Sequence, residues 1–325
     1  MQAILLKQTG SPDVLKAVKI NRPVPRDNEA LIRVHSISMN YADVLIRKGI
    51  YPYMPDLPAM LGAECSGYVE QLGANIDGLR AGQPVLVFGK PCYAGYITAS
   101  KRFIYPLPDN VDMTKAAALP VAYLTAYHLL HSVCRAKVGE TALMYAAAGG
   151  VGTAMLQLSK LIGVNFIGLC GSAEKVAWLK KNGCWKSINY NEENTVKRVM
   201  ELTHGQGVDM IFDSVAGKGF QDNFNMLNAL GKVVWFGVTA GVPKLNLLKT
   251  IARNPAQSAG VHVFHLFSII KNTALLRKSL QMLIQMLGQG KIDPVIHNEY
   301  KLHEVSKAQA ALENRTTIGK VILKP

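Results

Sequence analysis

The sequence predicts an α/β protein that joins a doubly wound parallel sheet to a second, mostly β domain. The chain has 325 residues, about twice the length of an ordinary domain. Its first third alternates short apolar runs with turns rich in Gly and Pro, which is typical of antiparallel strands. After residue 116, apolar runs alternate with helical stretches, and this rhythm indicates βαβ units.

The first domain is predicted to be discontinuous, with residues 1–118 and 265–325. Its N-terminal strands are expected at residues 3–6, 30–34, 67–72, 84–88 and 94–98. The tail reads as a helix over 274–287, a short strand, a helix near 303–313 and a last strand over 320–323. We expect this tail to return to the first domain.

The second domain is predicted over residues 119–264. Six apolar runs of strand length punctuate it, at residues 141–145, 165–169, 187–189, 209–213, 232–236 and 260–264. Strands separated by helical stretches favour one parallel sheet with helices on both faces.

Composition limits the class of protein. Apolar residues make up 49% of the chain and charged residues 18%, which argues against disorder and coiled coil. The net charge of +14 favours anionic ligands. Five cysteines without a CxxC pair, and no signal-like or membrane-spanning run, predict a cytoplasmic protein without disulfides.

A glycine-rich turn is the most informative motif. The run LMYAAAGGVGTAMLQLSK, residues 143–160, leads a strand through Ala147-x-Gly149-x-x-Gly152 into an amphipathic helix. This is the dinucleotide fingerprint with Ala at the first glycine. The helix N-terminus supplies positive partial charge for a pyrophosphate. The predicted contacts are Ala148, Gly149, Gly150, Val151 and Gly152.

The end of the next strand indicates which dinucleotide binds. An NAD site usually places an acidic residue about 20 residues beyond the glycines, but here Cys170 stands at that position. No carboxylate there repels a 2′-phosphate, and NADPH is favoured, with Gly171, Ser172, Lys175 and Tyr190 around the phosphate. The alternative is that Lys175 only solvates a helix turn, and the adjacent Glu174 counts against the phosphate site.

Several motifs, taken together, resemble one family: the zinc-independent medium-chain dehydrogenase/reductases, in their quinone oxidoreductase (zeta-crystallin-like) branch. The resemblance covers nearly the whole chain, in the segments Asn40–Asp43, Arg47–Tyr51, Leu61–Glu64, Gly82–Val85, Ala116–Pro120, Thr125–Tyr127, the glycine turn, Gly207–Asp209 and Gly319–Lys320. It implies a GroES-like catalytic domain beside a Rossmann domain.

The departures from the zinc enzymes of this family bear on the chemistry. Where those alcohol dehydrogenases have their Cys, His and Cys zinc ligands, this chain has Asn40, Ala63 and Val121. The cysteines of the structural zinc lobe are also absent, and we expect no metal. His128 and His131, which are three residues apart in an apolar helix, are interpreted as structural. Without a Lewis acid, reduction of electron-poor acceptors such as quinones and enones is favoured.

The resemblance also implies catalytic residues in a cleft between the domains. It places Asn40, Tyr51, Tyr123 and Thr125 near the nicotinamide, with Asp43 orienting polar groups. For Asp43, helix capping or an ion pair with Arg47 is the alternative. The ribose is expected to be flanked by Phe236, Gly237, Val238 and Thr239, and by Val263 and Phe264.

Two other functions stay open. A 2-enoyl-thioester reductase shares the fold and cofactor, with Tyr41 or Tyr51 as proton donor, and turnover of crotonyl-thioester against a small quinone separates the two. An RNA-binding or membrane-surface role is the rival from another class. Against it, no basic run exceeds two residues. The apolar sixth-strand segment, residues 259–270, predicts a homodimer that pairs there.

Overall fold

The computed structural model describes residues 1–325 and divides into two compact units, residues 1–122 with 277–325 and residues 123–276. The strands are β1 (Gln2–Leu6), β2 (Leu15–Lys19), β3 (Glu29–Ser38), β4 (Ala59–Met60), β5 (Glu64–Leu72), β6 (Pro84–Phe88), β7 (Tyr96–Ser100), β8 (Ile104–Pro106), β9 (Thr141–Met144), β10 (Asn165–Cys170), β11 (Lys186–Asn189), β12 (Val208–Asp213), β13 (Leu227–Trp235), β14 (Gly260–Val263), β15 (Ile296–Lys301) and β16 (Lys320–Lys324).

Ten α-helices accompany these strands. They are α1 (Tyr41–Arg47), α2 (Met113–Ala117), α3 (Pro120–His128), α4 (Gly150–Ile162), α5 (Ala173–Lys181), α6 (Thr195–Leu202), α7 (Leu247–Ala252), α8 (Phe267–Lys271), α9 (Thr273–Gly288) and α10 (Val305–Glu313). The predicted α/β class, with its parallel sheet and separate β-rich part, is confirmed.

The first unit is built on two sheets. A seven-stranded sheet runs in the order β15-β16-β3-β5-β6-β8, with β7 also paired to β3, and a three-stranded sheet has the order β2-β1-β4. The C-terminal strand β16 lies antiparallel to β3, with Ile322 opposite Ser38. One hydrophobic core, which includes Ile4, Ile32 and Val321, joins the N-terminal strands to this C-terminal strand.

The second unit contains one six-stranded sheet in the order β11-β10-β9-β12-β13-β14, and every pairing is parallel. Numbered within the unit, this is the order 3-2-1-4-5-6 of a doubly wound dinucleotide-binding sheet. Strands β9 to β11 are added toward one edge of the sheet and strands β12 to β14 toward the other, so the strand order reverses between β9 and β12. In such sheets ligands bind at the carboxyl ends of the strands around that switch point, and a dinucleotide site is therefore expected there.

All five cysteines are buried and free. None of the helices combines the length and the apolarity needed to cross a lipid bilayer.

Candidate functional site

The glycine-rich turn connects β9 to α4 at the carboxyl edge of the parallel sheet. Gly149 is the N-cap of α4. The Thr153 backbone amide donates the first hydrogen bond of the helix to the Gly149 carbonyl oxygen at 2.9 Å. The amides of Gly150, Val151 and Gly152 precede that bond, so the helix itself offers them no acceptor. With the positive pole of the helix, they form a donor set suited to a pyrophosphate.

Close packing explains the last glycine of the motif. A Cβ at Gly152 would lie 2.5 Å from the carbonyl carbon and 2.6 Å from the Cα of Ala147, and closer still to the carbonyl oxygen. At Gly149 a Cβ would lie 3.2 Å from the Ala146 carbonyl oxygen, a much milder contact. Gly152 therefore lets α4 approach the strand, and Gly149 leaves its face of the turn open for a ligand.

The four residues predicted for the 2′-phosphate lie in and around the loop after β10: Gly171 and Ser172 are in the loop, Lys175 is in the first turn of α5, and Tyr190 follows β11. Ser172 caps α5, and its Oγ accepts a hydrogen bond from the Lys175 amide at 3.3 Å. A Cβ at Gly171 would lie 2.5 Å from the Tyr190 hydroxyl oxygen, so the Tyr190 ring lies directly against this loop. No carboxylate side chain stands at Cys170, the last residue of β10.

Sequence reasoning missed Asn191, which follows β11. Its Nδ2 donates to the Gly171 carbonyl oxygen at 2.8 Å and so connects the end of β11 to the loop after β10. The only sequence signal was its position next to Tyr190.

The remaining predicted ribose contacts also lie at the carboxyl edge. The Phe236 amide donates to the Asp213 carbonyl oxygen at 3.0 Å, and the Phe264 amide donates to the Trp235 carbonyl oxygen at 2.9 Å. Gly237 is needed where the chain passes Ser214, since a Cβ there would lie 2.5 Å from the Ser214 carbonyl oxygen. Val238 follows in the same loop, whereas Val263 is 71% exposed.

A buried polar network that the sequence did not reveal fixes the loop after β12. Asp213 Oδ1 accepts hydrogen bonds from the Val215 and Ala216 amides, both at 2.8 Å. Asn223 donates to Asp213 Oδ2 at 2.9 Å and accepts from the Tyr145 hydroxyl at 2.8 Å. This network holds the glycine-turn strand and its neighbour at the switch point.

Helix α3 carries two of the predicted catalytic residues. Tyr123 is 1% exposed, and its hydroxyl donates to Gln157 Oε1 at 2.9 Å; Thr125 is 6% exposed. Their predicted proximity to a nicotinamide stays a prediction. His128 is buried, with Nδ1 2.8 Å from Ser132 Oγ, and burial lowers its pKa to about 4, as expected of a neutral core histidine.

In the first unit, Asn40 and Asp43 form the start of α1. The Asn40 backbone amide donates to Asp43 Oδ2 at 2.8 Å, and the Tyr93 hydroxyl donates to the same oxygen at 3.0 Å. Burial raises the pKa of Asp43 to about 6, although both hydrogen bonds act in the opposite direction. Asp43 therefore caps the helix. Arg47 does not pair with it, because the guanidinium bonds to Glu313 and Gln309.

Tyr51 follows α1 in the same unit. It is half-buried, and its ring centroid lies 6.3 Å from that of Tyr53. Desolvation raises the pKa of the Tyr51 phenol, and the nearby Asp43 carboxylate adds to the rise. A phenol is protonated near neutral pH at its ordinary pKa, and this rise extends to higher pH the range in which Tyr51 can donate a hydrogen bond.

Glu64 and Lys320 belong to the motifs of the family resemblance, but the sequence assigned them no role in the site. In the structure both contact Asn40. Asn40 Nδ2 donates to Glu64 Oε1 at 2.8 Å, and Lys320 Nζ donates to Asn40 Oδ1 at 2.6 Å.

The chain contains no group of three or more His, Cys, Asp or Glu side chains arranged to hold a metal ion.

Comparison with known proteins is consistent with this geometry. A family model described as alcohol dehydrogenase GroES-like domain matches residues 26–109, and one described as zinc-binding dehydrogenase matches residues 150–277. Quinone oxidoreductase 1 of Escherichia coli is 34% identical over 97% of each chain. A phenolphthiocerol/phthiocerol polyketide synthase of Mycobacterium tuberculosis is 30% identical over 98% of this chain, which corresponds to 14% of the synthase chain.

Structural comparison gives the same result. The crystal structure of Escherichia coli quinone oxidoreductase complexed with NADPH matches with a TM-score of 0.93 and 31% sequence identity, and the match covers 100% of both chains. The resemblance that the sequence motifs predicted is therefore confirmed across both units. Full-length similarity in sequence and in fold places the chain in the quinone oxidoreductase family of the medium-chain dehydrogenase/reductases.

Proposed function

We propose that this protein is an NADPH-dependent reductase that acts on quinones or related electron-poor α,β-unsaturated carbonyls. The observation that supports the proposal is the end of β10, where Cys170 stands in place of the usual carboxylate and Ser172, Lys175 and Tyr190 lie around the loop that follows. The E. coli relative whose structure holds NADPH supports this choice of cofactor. Its name supports the choice of acceptor.

The residues present fit the cofactor. The amides of Gly150, Val151 and Gly152 would bind the pyrophosphate, and the loop with Gly171 and Ser172 would bind the adenosine phosphate. When bound, NADPH supplies a hydride from its nicotinamide C4. Phe236, Gly237, Val238, Val263 and Phe264 would flank the nicotinamide ribose.

The catalytic residues act by positioning and polarising. We propose that Asn40 donates a hydrogen bond to the acceptor carbonyl and that Tyr51 lines the same site, with Asp43 fixing the start of α1. Thr125 and Tyr123 are proposed to support the nicotinamide from α3. A polar side chain or water delivers the proton, and no metal takes part.

Binding of the two nicotinamide cofactors tests this proposal. We expect the purified protein to bind NADPH more tightly than NADH in a titration followed by nicotinamide fluorescence. Lys175→Ala should weaken NADPH binding about 10- to 100-fold, the usual value of a charge-assisted hydrogen bond, and leave NADH binding unchanged. Lys180→Ala, on the exposed side of the same helix α5, is the matched control and should change neither.

Two outcomes would contradict it. Equal binding of NADH and NADPH would remove the phosphate site, and binding of neither would mean that the glycine turn holds no cofactor. In the second case the basic surface becomes the main clue, and oligonucleotide binding with a steep salt dependence would favour a nucleic-acid role.

A 2-enoyl-thioester reductase is the second candidate, because it uses the same cofactor and transfers hydride to an α,β-unsaturated carbonyl. Faster turnover of crotonyl-thioester than of a small quinone, under the same NADPH concentration, would select this activity over quinone reduction.

We further propose that two copies pair through β14, the edge strand of the parallel sheet. Strand β14 pairs only with β13 on one side, and Val263 is 71% exposed. Light scattering should therefore give twice the chain mass of 35.4 kDa. A monomeric mass at micromolar concentration would refute the pairing. The cytoplasmic location stays a prediction.

A further inference from the structure

An ion pair between Glu64 and Lys320 is buried beside Asn40. Glu64 begins β5 and is 0% exposed, and Lys320 begins β16 and is 5% exposed. Lys320 Nζ donates to Glu64 Oε1 at 3.0 Å, to Asn40 Oδ1 at 2.6 Å and to the Met39 carbonyl oxygen at 2.7 Å. An ammonium has three donors, so all of them are used.

The carboxylate completes the arrangement. Glu64 Oε1 also accepts from Asn40 Nδ2 at 2.8 Å, and Oε2 accepts from the Val121 amide at 2.7 Å. The Asn40 amide is therefore held at both ends, with its oxygen on the ammonium and its nitrogen on the carboxylate. One N–H of the planar NH2 group is left for another acceptor. Asn40 itself is only partly buried, unlike Glu64 and Lys320.

Stability alone does not account for this pair. Burying two charges is costly, and a well-packed apolar pair of similar volume is often as stable or more stable. The contacts instead serve one side chain, since Lys320 and Glu64 both bond to Asn40. An ammonium that donates to an amide oxygen draws electron density from the amide and strengthens its N–H as a donor.

We propose that Lys320 and Glu64 are positioning residues that orient and polarise the Asn40 amide toward the carbonyl oxygen of the acceptor. The inference rests on the proposed function, in which Asn40 contacts that oxygen. Negative charge develops there as hydride reaches the acceptor, and a pre-oriented, polarised N–H stabilises it. A fixed positive charge next to Asn40 thus assists reduction without touching the substrate.

Steady-state kinetics with two acceptors test the proposal. The acceptors are 1,4-benzoquinone, which is strongly electron-poor, and 2-cyclohexenone. The rate of reduction of 2-cyclohexenone depends more strongly on polarisation of its carbonyl group. Lys320→Met should lower kcat about 10-fold for the enone and less for the quinone, since a directly acting donor is worth 10²- to 10³-fold. The KM for NADPH should stay unchanged, because the cofactor phosphates bind elsewhere.

Lys324→Met is the matched control. Lys324 lies four residues further along β16, and its Nζ donates to Ser36 Oγ at 2.8 Å and to Thr114 Oγ1 at 2.6 Å. The variant removes a hydrogen-bonded lysine from the same strand and leaves the hydrogen bonds of Asn40 in place. We expect its kcat for both acceptors to stay within about 2-fold of the parent, as for a lysine that acts only in structure.

A double-mutant cycle separates action through Asn40 from a direct or structural effect. Asn40→Ala should lower kcat for the enone, and adding Lys320→Met to it should cause no further loss. Additive losses would overturn the proposal. If Lys320→Met folds poorly, Glu64→Gln with Lys320→Met removes both charges together and should show the same loss for the enone; wild-type kcat in that variant would also overturn it.

The outcomes distinguish the inference from the function on which it rests. If Asn40→Ala leaves both acceptors unaffected, the proposed role of Asn40 in the reductase fails. If Asn40→Ala lowers kcat while Lys320→Met behaves like Lys324→Met, the reductase stands and the inference is wrong.

Discussion

Replacing Gly152 with alanine is expected to destabilise the second unit by about 3 kcal/mol, at the upper end of the usual cost of overpacking. The added Cβ would lie 2.5 Å from a backbone carbon of Ala147, and backbone atoms cannot turn aside as a flexible side chain can. Either α4 moves away from β9 or the turn rearranges. In both cases the helix N-terminus loses its position at the carboxyl edge of the sheet.

Thermal unfolding followed by tryptophan fluorescence measures the effect in the right unit, because all three tryptophans lie within it at positions 178, 185 and 235. For a unit of about 150 residues, a loss of about 3 kcal/mol corresponds to a decrease in Tm of about 6–12 °C. NADPH affinity should decrease in parallel, since the open amides of α4 are displaced.

Gly149→Ala is the graded control in the same turn. Its Cβ would meet only the Ala146 carbonyl oxygen, at 3.2 Å, so we expect a loss of stability under about 1 kcal/mol. Its effect should instead fall on NADPH affinity, because the methyl group occupies the open face of the turn. Equal Tm values for the two variants would refute the assignment of different roles to these glycines.

The second unit could be predicted from sequence because its signals are local. Each βαβ unit repeats an apolar run, a turn and an amphipathic helix within about 30 residues, and the glycine turn is a continuous motif. The six predicted strands are present, and boundary differences are small except at β13, which begins at Leu227 instead of residue 232. There Leu230 has a φ of +63°, and the pairing with β12 is irregular between Val208 and Met210. Such a local distortion leaves no periodic signal.

The site residues that sequence reasoning missed depend on contacts between distant parts of the chain. Glu64 and Lys320 are separated by 256 residues and meet because β16 pairs with β3, next to β5. The network of Tyr145, Asn223 and Asp213 likewise joins separate loops. No spacing rule connects such residues. Asp43 was predictable as a cap from its place three residues after Asn40, and the structure shows that capping contact.

Arg47 also contacts distant parts of the chain that its sequence position does not reveal. Its replacement is the second change with a large expected effect on stability. The interpretation of Arg47 as a partner for Asp43 followed from their four-residue spacing on one helix. Instead, the guanidinium is 1% exposed and bonds to Glu313, to the Gly10 carbonyl oxygen and to Gln309 Oε1, the last at 2.7 Å. It thus joins the N-terminal segment, α1 and α10 within the first unit.

Arg47→Met is therefore expected to destabilise the first unit by about 2–4 kcal/mol, because the buried Gln309 Oε1 and the Gly10 carbonyl oxygen each lose their donor while Glu313 keeps Lys48 as a partner. Methionine retains much of the side-chain length, so the loss comes from the acceptors left without a donor. Differential scanning calorimetry is the suitable measurement, because this unit contains no tryptophan.

Lys48→Met is the matched control. Lys48 pairs with the same Glu313 carboxylate but is 37% exposed, so its removal should cost under about 1 kcal/mol. The two neighbouring residues share a partner and a charge and differ in burial. If both variants lose the same stability, burial of the guanidinium is not the cause, and the contacts of Arg47 with Gly10 and Gln309 contribute no more than an exposed pair. If only Arg47→Met is destabilised, the position of α1, and with it the start of the helix that Asn40 and Asp43 form, depends on the contacts of the Arg47 guanidinium with Gly10 and with α10, whose Glu313 lies 266 residues further along the chain.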